Sequence, residues 1–214
     1  MSRSFETPEE RYRKSRISKT FAHPPVLECG SLLLRELRPT DASDMFDYAR
    51  REDVTRFLTW EPHPDVTYTR DWLSFVSGKY RSGEFFDWAV TLAQPVFAGE
   101  KVKPHVMIGT CGFTSIDTAS NSAEIGYVLN PSYQGRGYAT EAVKMVLRFA
   151  FEELEFNRVE ARYIIGNDRS RRVMDRAGMR FEGVFRQKLM LRGRYRDIGV
   201  CSILAEDYFR RGGL

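Results

Sequence analysis

Cysteine is scarce: Cys29, Cys111 and Cys201 stand far apart in the chain. An odd, scattered set argues against a disulfide framework and offers no zinc spacing, so no metal is expected. No apolar run reaches the roughly 18 residues that a membrane helix needs, and no membrane partner is expected. The N-terminal stretch MSRSFETPEERYRKSRISK lacks the apolar core of a signal peptide, which makes a cytoplasmic location the default expectation. Internal repeats and low-complexity segments are missing. So are a helix-turn-helix, a zinc finger and an aromatic RNA-binding signature. Nucleic acid is therefore not expected as a partner; only the basic N-terminal stretch speaks for it.

What is present fits a globular chain. Hydrophobic residues make up 42% and charged residues 29% of 214 residues, enough for one domain with a real core. The expected division is a polar N-terminal arm at 1–25, disordered or a short helix around PEERYRKSR, and a single domain at 26–214. Charge is uneven along the chain. Residues 26–157 carry thirteen bases and nineteen acids, whereas residues 158–196 carry twelve bases and four acids. A polyanionic ligand would be favoured near the basic stretch, although a solvated arginine-rich face has the same composition.

Periodicity gives the order of elements. SLLLREL (31–37) reads as a strand, and TDASDMFDYARRE as a helix capped by Thr40 or Asp41. Loop 57–65 precedes a second helix, TRDWLSFVSGKYRSG, that stops near Gly83. FFDWAVTLA, VMIGTCGFTSID and SAEIGYVLN are three strands. A helix with Ala142, Val143, Val146 and Phe149 at helical spacing follows. RVEARYIIG is a strand, NDRSRRVMDRAG a short helix capped at Asn167, and the segment around RGRY a strand pair. The sum is a mixed α/β domain.

One feature stands out in this order: NPSYQGRGYATEA, residues 130–142, between a strand and a helix. Free N–H groups at a helix N-terminus favour an anion. Gly135 and Gly137 permit positive φ and close approach to the backbone, and Arg136 adds a cation. A tight turn before a helix is the plainer reading. A P-loop would need Lys-Ser/Thr where Tyr138-Ala139 stand. The dinucleotide fingerprint is broken at Thr140.

Taken as Gln134-x-x-Gly137-x-Ala139 after the strand EIGYVLNP, the stretch resembles the acyl-CoA pyrophosphate signature of the GNAT superfamily of N-acetyltransferases. NDRSRRVMDRAGMRFEGVFR, LLLRELRPTDASDMF and VTRFLTW are similar to its Rim-type branch, which acetylates ribosomal-protein N-termini. The resemblance runs from about residue 30 to 209. It implies a GNAT-like acyl-CoA-binding fold, a central, mostly antiparallel sheet flanked by helices. The implied activity moves an acetyl group from acetyl-CoA (coenzyme A) directly to a primary amine, such as a protein N-terminus or a small-molecule amine. A departure is Met179 before Arg180-Phe181, where the branch more often has Gly-Phe.

The same resemblance assigns roles. Backbone N–H groups of Gly135, Arg136, Gly137, Tyr138, Ala139 and Thr140 would cradle the pyrophosphate, with Gln134 opening the same cofactor-binding stretch. Tyr127, Val128 and Leu129 would run beside the pantetheine arm, with the Val128 N–H on the thioester oxygen. Asn167 would hydrogen-bond the pantetheine as well as cap its helix. Many members carry a tyrosine seven residues after this asparagine; here that position is Met174, and Ser170 becomes the expected hydrogen-bond donor to the thiolate. Ser170 could equally serve only as a capping residue. The Rim-type glutamate nineteen residues after the serine is replaced by Leu189. Glu124, on the strand AEIGY, is a candidate base acting through water or else a plain strand-surface glutamate; His63 is another candidate, and an amine that arrives neutral needs no base. Trp60, His63, Tyr80 and Phe86 are the expected acceptor walls. Loss of the tyrosine and glutamate also leaves open a non-catalytic acyl-CoA-binding module. Sheet edges in such folds often pair, which allows a homodimer.

Overall fold

Threonine and proline open the first ordered element of the computed structural model, which describes residues 6–81, 86–93 and 105–213. Thr7 Oγ1 accepts the Glu10 N–H, Pro8 occupies the first turn, and two acids follow, so helix α1 (Pro8–Ala22) starts with a full set of N-terminal signals. Only Ile17 and Phe21 of α1 are buried. That two-residue stripe is enough to dock the helix, because the Phe21 ring lies edge-on to Phe86, Phe113 and Phe149 with centroids 4.9–6.2 Å away.

The chain continues through strands β1 (Leu27–Cys29) and β2 (Leu32–Arg35), then helices α2 (Ala42–Ala49), α3 (Glu52–Thr55) and α4 (Val66–Arg81). Strands β3 (Asp87–Leu92), β4 (Met107–Asp117) and β5 (Ser122–Leu129) form a meander. Helix α5 (Tyr138–Glu152), strand β6 (Arg158–Ile164), helix α6 (Asp168–Arg176), hairpin β7 (Arg180–Leu191) and β8 (Arg194–Leu204), and helix α7 (Ala205–Arg210) complete it. Gly83 and Phe85, the expected helix stop and strand start, lie outside the described residues. The eight strands make one sheet in the order β1-β2-β3-β4-β5-β6-β8-β7. Every pairing is antiparallel except that of β5 with β6, as expected for a mostly antiparallel sheet flanked by helices.

Period-two alternation buries both faces of the sheet. One face carries Trp88, Phe113, Ile125 and Val159 against α5, where Val143, Val146 and Phe149 form the apolar stripe. The other carries Ala89 and Met107 against α2 and α4, with Leu37, Tyr48, Leu73 and Tyr80. Arg35 and Asp41 seal the start of this second layer as a buried two-pronged ion pair at 2.7 and 2.8 Å, a geometry in which both charges are hydrogen-bonded.

The parallel pair is short, and this positions everything that follows. Registered pairing of β5 with β6 covers only Ser122–Ile125 against Arg158–Ala161. Yet β5 continues to Leu129 and β6 to Ile164. The two strands part beyond Ile125, and among the described residues the edge of β5 from Gly126 to Leu129 has no strand partner on that side.

Candidate active site

Where β5 and β6 part, a cleft of about 780 Å³ opens. Its walls are Tyr127, Val128 and Leu129 of β5, Gly135 to Thr140 apart from Arg136, and Asn167, Ser170 and Val173 of α6 with its preceding turn. Val54, Phe57 and Leu58 close it from the α3 side. The sequence-derived donor residues are therefore brought together, except that exposed Arg136 stands outside the cleft lining.

Gly135 and Gly137 adopt φ 80° and 88°, the left-handed region open to glycine. A Cβ at either would meet no atom within 4 Å. The glycines are thus there for conformation and for an unobstructed approach, not for tight internal packing. Gly137 caps α5 with no side-chain hydrogen bond. The first intrahelical bond runs from the Glu141 N–H to the Gly137 carbonyl, so the amides of Tyr138, Ala139 and Thr140 have no acceptor in the helix. The Tyr138 side chain is buried; only its amide can face a ligand. Gln134 spans the cleft's end, donating Nε2 to the Leu129 carbonyl and accepting from Arg169, both at 3.0 Å.

Strand alternation corrects the amide assigned to the thioester. The Asn130 N–H donates to the Ile108 carbonyl on β4, while the Leu129 carbonyl points the other way, to Gln134. Successive residues alternate their backbone groups, so Val128 turns its amide toward its partner Thr110 on β4. Tyr127 and Leu129, not Val128, offer backbone groups to the cleft.

On α6, Asn167 accepts the Ser170 N–H at 3.3 Å and is the helix cap. Ser170 Oγ lies 2.9 Å from the Tyr127 hydroxyl, which also donates to the Ser170 carbonyl at 2.8 Å. Burial pushes the Tyr127 phenol well above its ordinary pKa, against the opposing hydrogen bond with Ser170. Met174 is in the core, 1% exposed. A tyrosine hydroxyl is thus present at the site after all, supplied from β5. The resemblance implies only that Tyr127 runs beside the pantetheine arm, and no local signal in the sequence ties its ring to a helix 43 residues away.

Glu124 lies on the opposite face of β5 from Tyr127, 3.2 Å from Arg162. Burial raises its pKa, with Arg162 opposing and Glu160 reinforcing the shift. A half-buried carboxylate of this kind is a better base than an exposed one.

The expected acceptor walls are mostly not walls. Tyr80 is 1% exposed; its hydroxyl accepts the Leu37 N–H and donates to the Asp87 carbonyl. Phe86 packs on Phe21. His63 is 8% exposed, with Nδ1 2.8 Å from Thr69 Oγ1, and its ring stacks near Trp60 and Tyr68; burial lowers its pKa. Trp60 is half-buried against the α2/α4 layer. Rings with a polar atom find a partner inside, as Tyr80 and His63 do here.

A residue that the sequence reading missed fixes this region. Arg192, at the β7–β8 turn, donates to the Thr55 and Trp60 carbonyls and to the Glu61 carboxylate, all at 3.1–3.2 Å. It straps the loop after α3 to the hairpin tip. Arg192→Ala removes an exposed ion pair with Glu61 worth about 0–1 kcal/mol and two carbonyl bonds worth about 0.5–1.5 kcal/mol each. Faster proteolysis within residues 56–62 is expected, with a raised KM for the acceptor; unchanged cleavage would deny the strap. Charge on α6 is also divided. Arg172 and Arg176 line the cleft, whereas Arg171 turns to Asp175 and lies over the Phe181 ring.

The family model for the Acetyltransferase (GNAT) domain matches residues 31–180. The uncharacterized N-acetyltransferase p20 of Bacillus licheniformis is 29% identical over 83% of this chain and 94% of its own length. The [ribosomal protein uS5]-alanine N-acetyltransferase of Escherichia coli is 24% identical over 85% of this chain and 92% of its length. Among solved structures, a GNAT-family acetyltransferase from Bacillus anthracis superposes with a TM-score of 0.72 at 26% identity, covering 85% of this chain and 99% of its own. A parted strand pair, a glycine-capped helix facing it and a domain match over most of the chain converge: this protein belongs to the GNAT acetyltransferase family and is an N-acetyltransferase.

Proposed function

We propose that the parted strands hold acetyl-CoA and that the enzyme acetylates the primary amine of an acceptor reaching it from the α2/α4 side. The observation that carries this is the continuity of the unpaired β5 edge with the open N-terminus of α5. An extended amide-bearing arm can add to the Tyr127 and Leu129 edge as a further strand. A pyrophosphate then meets the amides of residues 138–140 beyond the two glycines.

Acetyl-CoA supplies an activated acyl group and a thiolate leaving group. The protein's part is positional and protonic. Tyr127 commits its proton to the Ser170 carbonyl, which leaves the Ser170 Oγ–H free to turn to the departing sulfur. Glu124, on the acceptor face of the same strand, takes the amine proton through water. Arg172 and Arg176 face the phosphates. Their joint replacement by alanine is expected to weaken CoA binding about tenfold or more, and dephospho-CoA binding less, since each charge-assisted bond contributes about 1.5–3 kcal/mol. Calorimetry with both ligands checks this.

The acceptor reading follows the relatives: a protein N-terminal amine, as for the uS5-alanine enzyme, or a small amine, in the cytoplasm. Two copies pairing through the outer strand β7, where Phe181, Val184, Phe185 and Met190 are exposed, fit a homodimer that sedimentation would detect. The test of the activity is thiol release from acetyl-CoA with an amine and peptide panel. Release that depends on the amine is expected; CoA binding without any turnover would leave only a binding module.

A further inference from the structure

Residues 186–196, at the end of the β7–β8 hairpin, carry five bases and no acid. Among the described residues only Arg192 of the five has a carboxylate partner, Glu61. Asp197, the next residue, turns its carboxylate to the Gln187 amide. Arg194 is exposed and Arg196 half-buried, and the Arg196 Nε is buried with no hydrogen-bond partner. A guanidinium that packs its stem and leaves a buried N–H unpaired is unfavourable on its own. Positive charge left uncompensated on one face attracts an anion.

This end of the hairpin is joined to the cleft. Arg194, Arg196 and Ile198 alternate onto one face of β8. On that face Ile198 and Leu191 pack with Ile164 of β6, and Phe57 and Leu189 pack against them. Leu189 is the cross-strand neighbour of Arg196. Phe57 also lines the cleft, as does Arg56, whose guanidinium lies over the Phe57 ring at 4.7 Å. Gly166 lines the cleft too, directly after Ile165, whose amide donates to the Asp197 carbonyl. The cleft edge at β6 and the hairpin cations are thus one strand apart, about 5 Å. Helix α6 packs on the opposite face, where Met174 joins the core that holds Cys201. The phosphates proposed to meet Arg172 and Arg176 lie on that other face and do not neutralise Arg194 and Arg196.

We infer that this hairpin face binds acidic side chains of the acceptor, so that the preferred acceptors are peptides whose N-terminal amine is followed within about four residues by Asp or Glu. This rests on the donor placement proposed above. The amine lies at the cleft, the peptide passes half-buried Phe57 and Leu189 at about 3.3 Å per residue, and its carboxylates meet Arg194 and Arg196. Apolar contact beside the cations favours a peptide over a nucleic-acid backbone, which offers charge alone on its outside.

Thiol release from acetyl-CoA is compared for the amides of Ala-Glu-Glu-Ala, Ala-Gln-Gln-Ala and Ala-Arg-Arg-Ala. The wild type should favour the Glu peptide over the Gln peptide by about tenfold or more in kcat/KM, mainly through KM. The preference should shrink as salt is raised to about 1 M. Replacing Arg194→Gln and Arg196→Gln together should erase it, while CoA binding by calorimetry and the melting temperature are retained. Arg194→Glu with Arg196→Glu should turn the preference toward the Arg peptide, a gain that a merely damaged hairpin would not produce. Equal use of the Glu and Gln peptides by the wild type, or a preference that survives the Gln pair, overturns the inference. Failure of the wild type to bind CoA would instead strike the donor placement. Fluorescence anisotropy of a labelled Ala-Glu-Glu-Ala peptide then still decides the role of the hairpin. Salt-sensitive binding that the Gln pair abolishes supports it, and equal or absent binding overturns it. A single-stranded oligoribonucleotide that binds more tightly than the peptide, and loses that affinity in the Gln pair, also overturns it.

Discussion

Ser170→Ala should lower kcat by about 10²–10³-fold while the Kd for CoA changes little, because a positioned proton donor contributes in that range only as charge develops on the leaving group. The geometry makes the separation clean. Asn167 caps α6 through the Ser170 backbone N–H, so deleting the side-chain oxygen leaves the helix start intact. Tyr127→Phe removes the hydroxyl that bonds the Ser170 carbonyl and neighbours Oγ. It should cost less, about tenfold, if Tyr127 orients the serine rather than giving up its own proton. The reverse order, a severe Tyr127→Phe and a mild Ser170→Ala, would make the tyrosine the donor. Steady-state kinetics with a saturating amine distinguish the two.

Gly137→Val should weaken CoA binding by about 100-fold or more and destabilise the fold by about 1–3 kcal/mol. Two separate costs act. A β-branched residue at φ 88° is strained wherever it occurs. Its side chain would also occupy the space that is now empty around Gly137, in front of the amides that await an anion. Gly193→Ala separates the two. Gly193 has φ 71° at the β7–β8 turn, with nothing within 4 Å of an added Cβ, so it should lose stability in the same sense but keep its CoA affinity. Thermal melts and calorimetry on both variants check this. Equal affinity in Gly137→Val would mean that the turn is structural and no phosphate approaches it.

Much of the donor half was legible in the sequence because its signals are local. Gly135, Gly137 and Asn167 act through their own turns, and strand or helix periodicity around them is strong. Helix α1 was less legible, since Ile17 and Phe21 alone tie a charged segment to the core. The acceptor half was hardest, since its contacts are long-range. Arg192 reaches residues 131–137 positions away. Tyr127 meets Ser170 only because β5 and β6 part. Tyr80 and His63 looked like open walls because aromatic and polar residues cluster near a loop, but nothing in the sequence tells an exposed ring from one whose polar atom is satisfied inside.

The most direct measurement is an NMR titration of isotope-labelled protein with CoA. Saturable amide shifts are expected at Tyr127 and Leu129, at Gly135, Gly137, Ala139 and Thr140, and at Asn167 and Ser170, with β1 and β7 unmoved. Binding that left those amides unchanged, or no binding at millimolar CoA, would contradict a donor seated between β5 and β6.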